Sequence, residues 1–186
     1  MKKYMFLIIF WSVFLNYAQT QNLFYADVFR GGVTGDGYSP DAGFGGTGFF
    51  QVNIPSGSSI RNAFLFAGKH GITPSTPIVF SGNSLIFESS NQIIPPFFSP
   101  FGGNASLHMV DVTQYINPST SNYQITIPQQ SNNALNRFSD FYLYVVYENV
   151  TMSETTIYVF INSKGMNNDI RTYNINNLSK INNILM

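Results

Sequence analysis

The chain has 186 residues, room for one domain with a sizeable core, and only 10% of them are charged. Nine basic residues face nine acidic ones, with no basic stripe, so nucleic-acid binding lacks its electrostatic footing. Cysteine is absent, which excludes disulfides and thiolate zinc sites and leaves the fold to its core.

The first element is a leader. Met1-Lys2-Lys3-Tyr4 is a short basic start, Met5 to Leu15 is apolar but for Ser12, and Ala18 is a small residue ahead of Gln19. That order reads as a secretory signal peptide over residues 1–18, cut after Ala18. The apolar run falls short of the ~20 residues a spanning helix needs, so no membrane span is expected after cleavage. The expected address is export: secreted, on the cell surface or in the periplasm. Loss of Lys2 and Lys3 leaves seven basic against nine acidic residues in a domain covering residues 19–186.

Asn22–Phe29 predicts a first strand, and Arg30–Gly48, with eight glycines, predicts a long loop or strand ends joined by loop, since glycine runs disfavour helix. Phe49–Ile54 and Ile60–Ala67 read as strands around a Pro55–Ser59 turn. Pro77–Phe80 and Ser84–Glu88 read as a short hairpin about Ser81-Gly82-Asn83. Pro95–Gly103 reads as a connector whose phenylalanines lid the core. Ala105–Val112 and Tyr123–Ile127 are further strands, and Ser131–Ser139 is a polar loop.

Asp140–Glu148 is the best-defined strand, with Thr155–Ile161 as its expected antiparallel partner and Arg171–Asn176 as a last strand. Alternation places Phe141, Leu143 and Val145 on one face and Tyr142, Tyr144 and Val146 on the other. Ile157, Val159 and Ile161 then oppose Tyr158 and Phe160. About nine short strands punctuated by Gly, Pro and Asn, with no 3.6-residue period after the leader, predict an all-β antiparallel sandwich of jelly-roll type.

Ile60-Arg61-Asn62-Ala63-Phe64-Leu65-Phe66, Val110 to Ile116 with Tyr123–Ile127, and Phe141–Glu148 together resemble a module of exported proteins of gliding Gram-negative bacteria associated with type IX secretion. The resemblance covers a little over half the chain and implies a structural β-module, with no catalytic residues to carry over. Such proteins usually continue into a C-terminal sorting domain, and nothing before Met186 resembles one. Two expectations follow: a short relative exported to the periplasm, or a domain cut short at its C-terminus.

Motifs for chemistry are sparse. Gly43 to Gly48 matches G-x-G-x-x-G, but a strand follows it where dinucleotide binding needs a helix. Asp36 and Asp41 in the glycine-rich stretch are candidate calcium ligands, although calcium wants six to eight oxygens and Asp in turns commonly bonds nearby backbone. Glu148 and Glu154 flank one connection, but glycoside hydrolysis needs two carboxylates at a set separation, and such acids are usually solvated. His108 and Asp111 fall on opposite faces of one strand, and Asp111 reads as a strand-end cap. Tyr142, Tyr144 and Tyr158 are candidate ligand-binding residues, an aromatic face either covered by a second layer or open to a glycan or protein partner. The expected function is therefore a non-enzymatic exported module for cell-surface interaction or adhesion, with a glycan-binding or glycan-active accessory role as the alternative.

Overall fold

The computed structural model describes residues 22–40, 45–70, 76–98, 104–129 and 137–161. Over these the chain is all-β, with ten strands and two single-turn 3-10 segments. The strands are β1 (Asn22–Tyr38), β2 (Gly46–Gln51), β3 (Ser59–His70), β4 (Thr76–Phe80), β5 (Asn83–Phe87), β6 (Gln92–Phe98), β7 (Asn104–Asp111), β8 (Asn122–Ile127), β9 (Arg137–Glu148) and β10 (Glu154–Ile161). The leader (residues 1–18), Asp41 and the expected strand Arg171–Asn176 lie outside the described residues.

The strands form two antiparallel sheets, ordered β10-β1-β9-β3-β7-β6 and β2-β8-β4-β5. Four nested pairs define the wrap: β1 with β9, β2 with β8, β3 with β7 and β4 with β5. Rolled up, this long hairpin brings β9 beside β3 and β8 beside β4. That is the jelly roll, two sheets face to face with edges shortened by wrapping. β6 and β10 are additions at the two ends of the larger sheet.

The core follows from alternation. Ala63, Leu65 and Ala67 of β3 lie opposite Val145, Leu143 and Phe141 of β9. All six are fully buried against Phe50, Ile78, Phe80, Phe87 and Ile125 of the smaller sheet. The β4–β5 hairpin turns through Ser81 and Gly82, both at positive φ, the two-residue geometry that matches strand twist.

Several expectations are corrected. Of the two readings of the glycine-rich stretch, the single long loop is overturned: β1 runs on to Tyr38 and β2 starts at Gly46, so the stretch supplies strand ends. Thr155–Ile161 does not pair with Asp140–Glu148; both run antiparallel to β1, β10 along Asn22–Arg30 and β9 along Gly31–Tyr38. The chain leaves β9 by a turn at Asn149, closed by the Met152 amide donating to the Asn149 carbonyl at 3.0 Å. Buried Asn149 anchors that exit: its Nδ2 donates to the Ser56 carbonyl at 3.2 Å and the Ser58 hydroxyl at 3.1 Å. Pro95 and Pro96 sit within β6, an outer strand where a missing N–H is tolerated, with a register shift from Ile94 to Phe97. β9 begins at Arg137, inside the expected loop, and buries Phe138.

The first half of β1 and β10 form a ribbon that lies on the outer face of the larger sheet. Phe29 and Ile157 from the ribbon share a second core with Phe64, Phe66 and Val146. The Phe24 ring meets Phe64 and Phe66 edge-on, with centroids 5.3 and 5.2 Å away. β1 can run from ribbon to sheet because it carries Gly31 at the junction. A Cβ there would overlap the Tyr147 carbonyl oxygen and crowd the Phe29 ring. Arg61 fastens the ribbon, with Nη2 on Asp27 at 2.7 Å, Nη1 on Glu148 at 3.0 Å and its guanidinium 4.6 Å from the Phe29 ring centroid.

Candidate functional site

The ribbon covers only part of the outer face. Beyond it, Tyr142 and Tyr144 of β9 remain 43% and 37% exposed. Their cross-strand partners on β1 are Gly37 and Gly35. Each ring lies close over its glycine: a Cβ on Gly37 would stand 3.1 Å from Tyr142 ring carbons, and one on Gly35 3.0 Å from a Tyr144 ring carbon. Glycine thus lets the aromatic rings lie down across the neighbouring strand instead of standing off it. Phe66 braces the arrangement from the other side, edge-on to Tyr144 with centroids 5.8 Å apart. The outcome is a shallow groove of about 290 Å³ with exposed Val33 at one end. Burial and the Asp140 carboxylate push the Tyr142 hydroxyl above its usual range, so it stays a neutral donor and acceptor at physiological pH.

The other predicted residues separate. Tyr158 is on the ribbon, half-buried and stacked on Phe160 at 6.2 Å, so it belongs to a different element from the tyrosine pair. Asp36 turns to the seam between the sheets. Its carboxylate accepts the Gly37 and Gln51 amides, both at 2.8 Å. One bond is local to β1 and the other ties β1 to β2. Thr34 does the same, its hydroxyl accepting the Asn53 amide at 3.1 Å. No group of three or more His, Cys, Asp or Glu is placed to hold a metal among the described residues. Asp111 caps the end of β7 by accepting the Thr113 amide at 2.9 Å. Glu148 is held by Arg61, while Glu154 is exposed on β10.

Sequence reading missed two features. A polar groove of about 510 Å³ lies beside the seam, lined by Thr34, Gln51, Val52, Asn53, Ser121 and Asn122. It shares Thr34 with the tyrosine groove. The topology alone makes it, because β2 and β8 pair Gln51 with Asn122. The other is a buried polar cluster between the sheets. Lys69 donates to the Phe87 carbonyl at 2.8 Å, and burial lowers its pKa. His108 lies 3.0 Å from the Glu88 carbonyl through Nδ1 and 3.0 Å from the Ser106 hydroxyl through Nε2. A carbonyl only accepts, so the proton is on Nδ1 and the serine donates to Nε2. Burial, with Lys69 nearby, lowers the His108 pKa against the opposing Glu88 bond, so the ring stays neutral.

Among the described residues no helix is long and apolar enough to cross a membrane. Comparison with protein-family models, curated proteins and solved structures finds no match for the chain.

Proposed function

We propose that this chain is an exported, non-catalytic binding module for cell-surface interaction or adhesion, and that its ligand is an uncharged glycan seated on the Tyr142–Tyr144 shelf. The observation that carries the reading is the pair of aromatic rings packed close against Gly35 and Gly37 and still partly exposed. A pyranose ring offers an apolar face of C–H groups and an equatorial rim of hydroxyls. Tyrosine answers both, with an apolar ring and a polar tip. Among the described residues that line it, the groove presents no cation, and the carboxylate there, Asp36, already accepts two backbone amides. The basic, apolar and small-residue order of residues 1–18 supports export, as does the resemblance to type IX-associated modules. Jelly rolls serve lectins among many other proteins, so the fold permits this use without assigning it.

The test is binding of the processed chain to an array of neutral polysaccharides, repeated with Tyr142→Ala and Tyr144→Ala. Each variant is expected to weaken binding at least tenfold with the fold unchanged by circular dichroism. Absence of binding to every neutral glycan, or affinity indifferent to both substitutions, overturns the reading.

A further inference from the structure

The two grooves meet at Thr34, and between them runs the edge of β1 from Gly31 to Tyr38. Among the described residues that edge has the β9 ladder on one side and no ladder on the other, where the Asp36 and Thr34 side chains alone bond to Gln51 of β2 and to Asn53 just beyond it. On the far side stand Gln51, Asn53, Ser121 and Asn122, all exposed. The backbone amides of Gln51 and Asn53 are used in the seam. Their side-chain amides, and that of Asn122, make no hydrogen bond with another described residue. Three carboxamides and a serine hydroxyl that bond no other described residue through their side chains therefore line one polar groove beside Thr34 of β1, whose neighbour Asp36 already takes the Gly37 and Gln51 amides.

Resting on the glycan reading, we infer that the ligand is a neutral oligosaccharide chain rather than a single sugar. One end stacks on Tyr142 and Tyr144. The chain then crosses the free edge of β1 and lays its hydroxyls against the carboxamides of Gln51, Asn53 and Asn122. The chemistry fits at each stage. Carboxamides both donate and accept, as vicinal hydroxyl pairs do, and carry no charge. Among the described residues, neither groove is lined by a lysine or arginine to meet a uronic acid or sulfate. Crossing one strand spacing and one sheet separation spans on the order of 15 Å, the length of about three linked pyranose rings. An extended peptide added to the β1 edge is the competing occupant. It is disfavoured because its side chains would find amides and tyrosine faces in place of the alternating pockets that strand addition uses.

The test is a ladder of neutral gluco-, xylo- and manno-oligosaccharides, one to six units long, titrated calorimetrically against the full processed chain. For the series that binds, affinity should rise at least tenfold from the disaccharide to the tetrasaccharide and then level off. Asn53→Leu and Asn122→Leu should each cut tetrasaccharide affinity at least fivefold and leave disaccharide affinity unchanged. Tyr144→Ala should lower both. Both asparagines are exposed, and an unchanged melting temperature would verify that the variants fold. Affinity that ignores chain length, or tetrasaccharide binding that ignores both asparagine variants, overturns the inference and leaves the tyrosine shelf standing. Failure of every ladder, with capture instead of an extended peptide from a display library, overturns both readings.

Discussion

Arg61 Nη2 and Asp27 Oδ2 meet at 2.7 Å across the junction between the ribbon and the larger sheet. The pair is about one-third exposed on the arginine side, so it is screened and its Coulomb term is small. Arg61 does more than pair, since it also holds Glu148 and stacks on Phe29. Arg61→Ala is expected to cost about 1–2 kcal/mol in urea unfolding, more than a lone surface ion pair. Amide exchange should accelerate along β10 while β3 and β7 stay protected.

Asp27 makes that junction acid-sensitive. Burial pushes its carboxyl up, but bonds from Arg61, the Val28 amide and the Tyr25 hydroxyl outweigh burial and hold it below its ordinary value. A carboxyl depressed in the folded state contributes stability that is present above the unfolded value of 3.8 and lost as pH falls through the folded one. Asp27→Asn should flatten the stability profile below about pH 4, read from urea midpoints between pH 5 and pH 2.

His108 acts in a higher window with the same outcome. Its folded pKa is lowered, mainly by burial, so the unfolded chain binds the proton more readily. Stability is full above the unfolded value of 6.5 and falls as pH drops below it towards the folded value. Urea midpoints should decline from pH 7.5 to pH 5 in the parent, and His108→Gln should remove that part of the slope.

Two adjacent residues of β9 should behave oppositely. Leu143 is fully buried between the sheets, so Leu143→Ala should cost about 2–5 kcal/mol through lost transfer energy and a cavity. Tyr142 faces outward, and Tyr142→Ala should cost about 1 kcal/mol or less while weakening the proposed binding. Thermal melts of the two variants, set beside glycan titrations, separate stability from recognition.

Gly31→Ala should be far worse than its size suggests. The added methyl would overlap the Tyr147 carbonyl oxygen, part of a backbone that is itself paired in the sheet, so no flexible side chain can give way. A loss of about 3 kcal/mol or more, or failure to accumulate folded protein, is expected. Gly57→Ala is the contrasting control. A Cβ there meets nothing, so the strain comes only from its positive φ and the cost should stay near 1 kcal/mol.

Strands whose faces meet different surroundings were legible in the sequence. β9 alternates buried Phe141, Leu143 and Val145 with exposed Tyr142 and Tyr144, and period two announces it. β1 was not legible, because Gly31, Gly32, Gly35 and Gly37 look like loop. Their reason is largely non-local: the β9 backbone at Tyr147 and Leu143 crowds Gly31 and Gly35, and the side chains of Tyr147, Tyr144 and Tyr142 crowd Gly32, Gly35 and Gly37, more than a hundred residues away. The partner of β10 was equally hidden. Neighbouring strands usually pair, and only the turn at Asn149 and the glycine junction in β1 send β10 elsewhere. The tyrosine shelf could be foreseen from alternation. The carboxamide wall could not, since Gln51, Asn53 and Asn122 read singly as ordinary polar residues, and the β2–β8 register is what assembles them.

The nesting of the strand pairs also sets the order in which the molecule can form. Ser39 on the first strand's flank meets Asp140 from 101 residues away, and both strands that pair with β1, β9 and β10, lie in the last third of the described chain. Among the described strands, local closure is available to the β4–β5 and β6–β7 pairs, so assembly is expected to start there and wind outward. A nascent chain lacking β9 and β10 has no ladder for its first strand, and high contact order keeps completion slow, on the order of milliseconds to seconds. Such delay is compatible with the proposed export, in which a chain threads a translocation channel before it collapses.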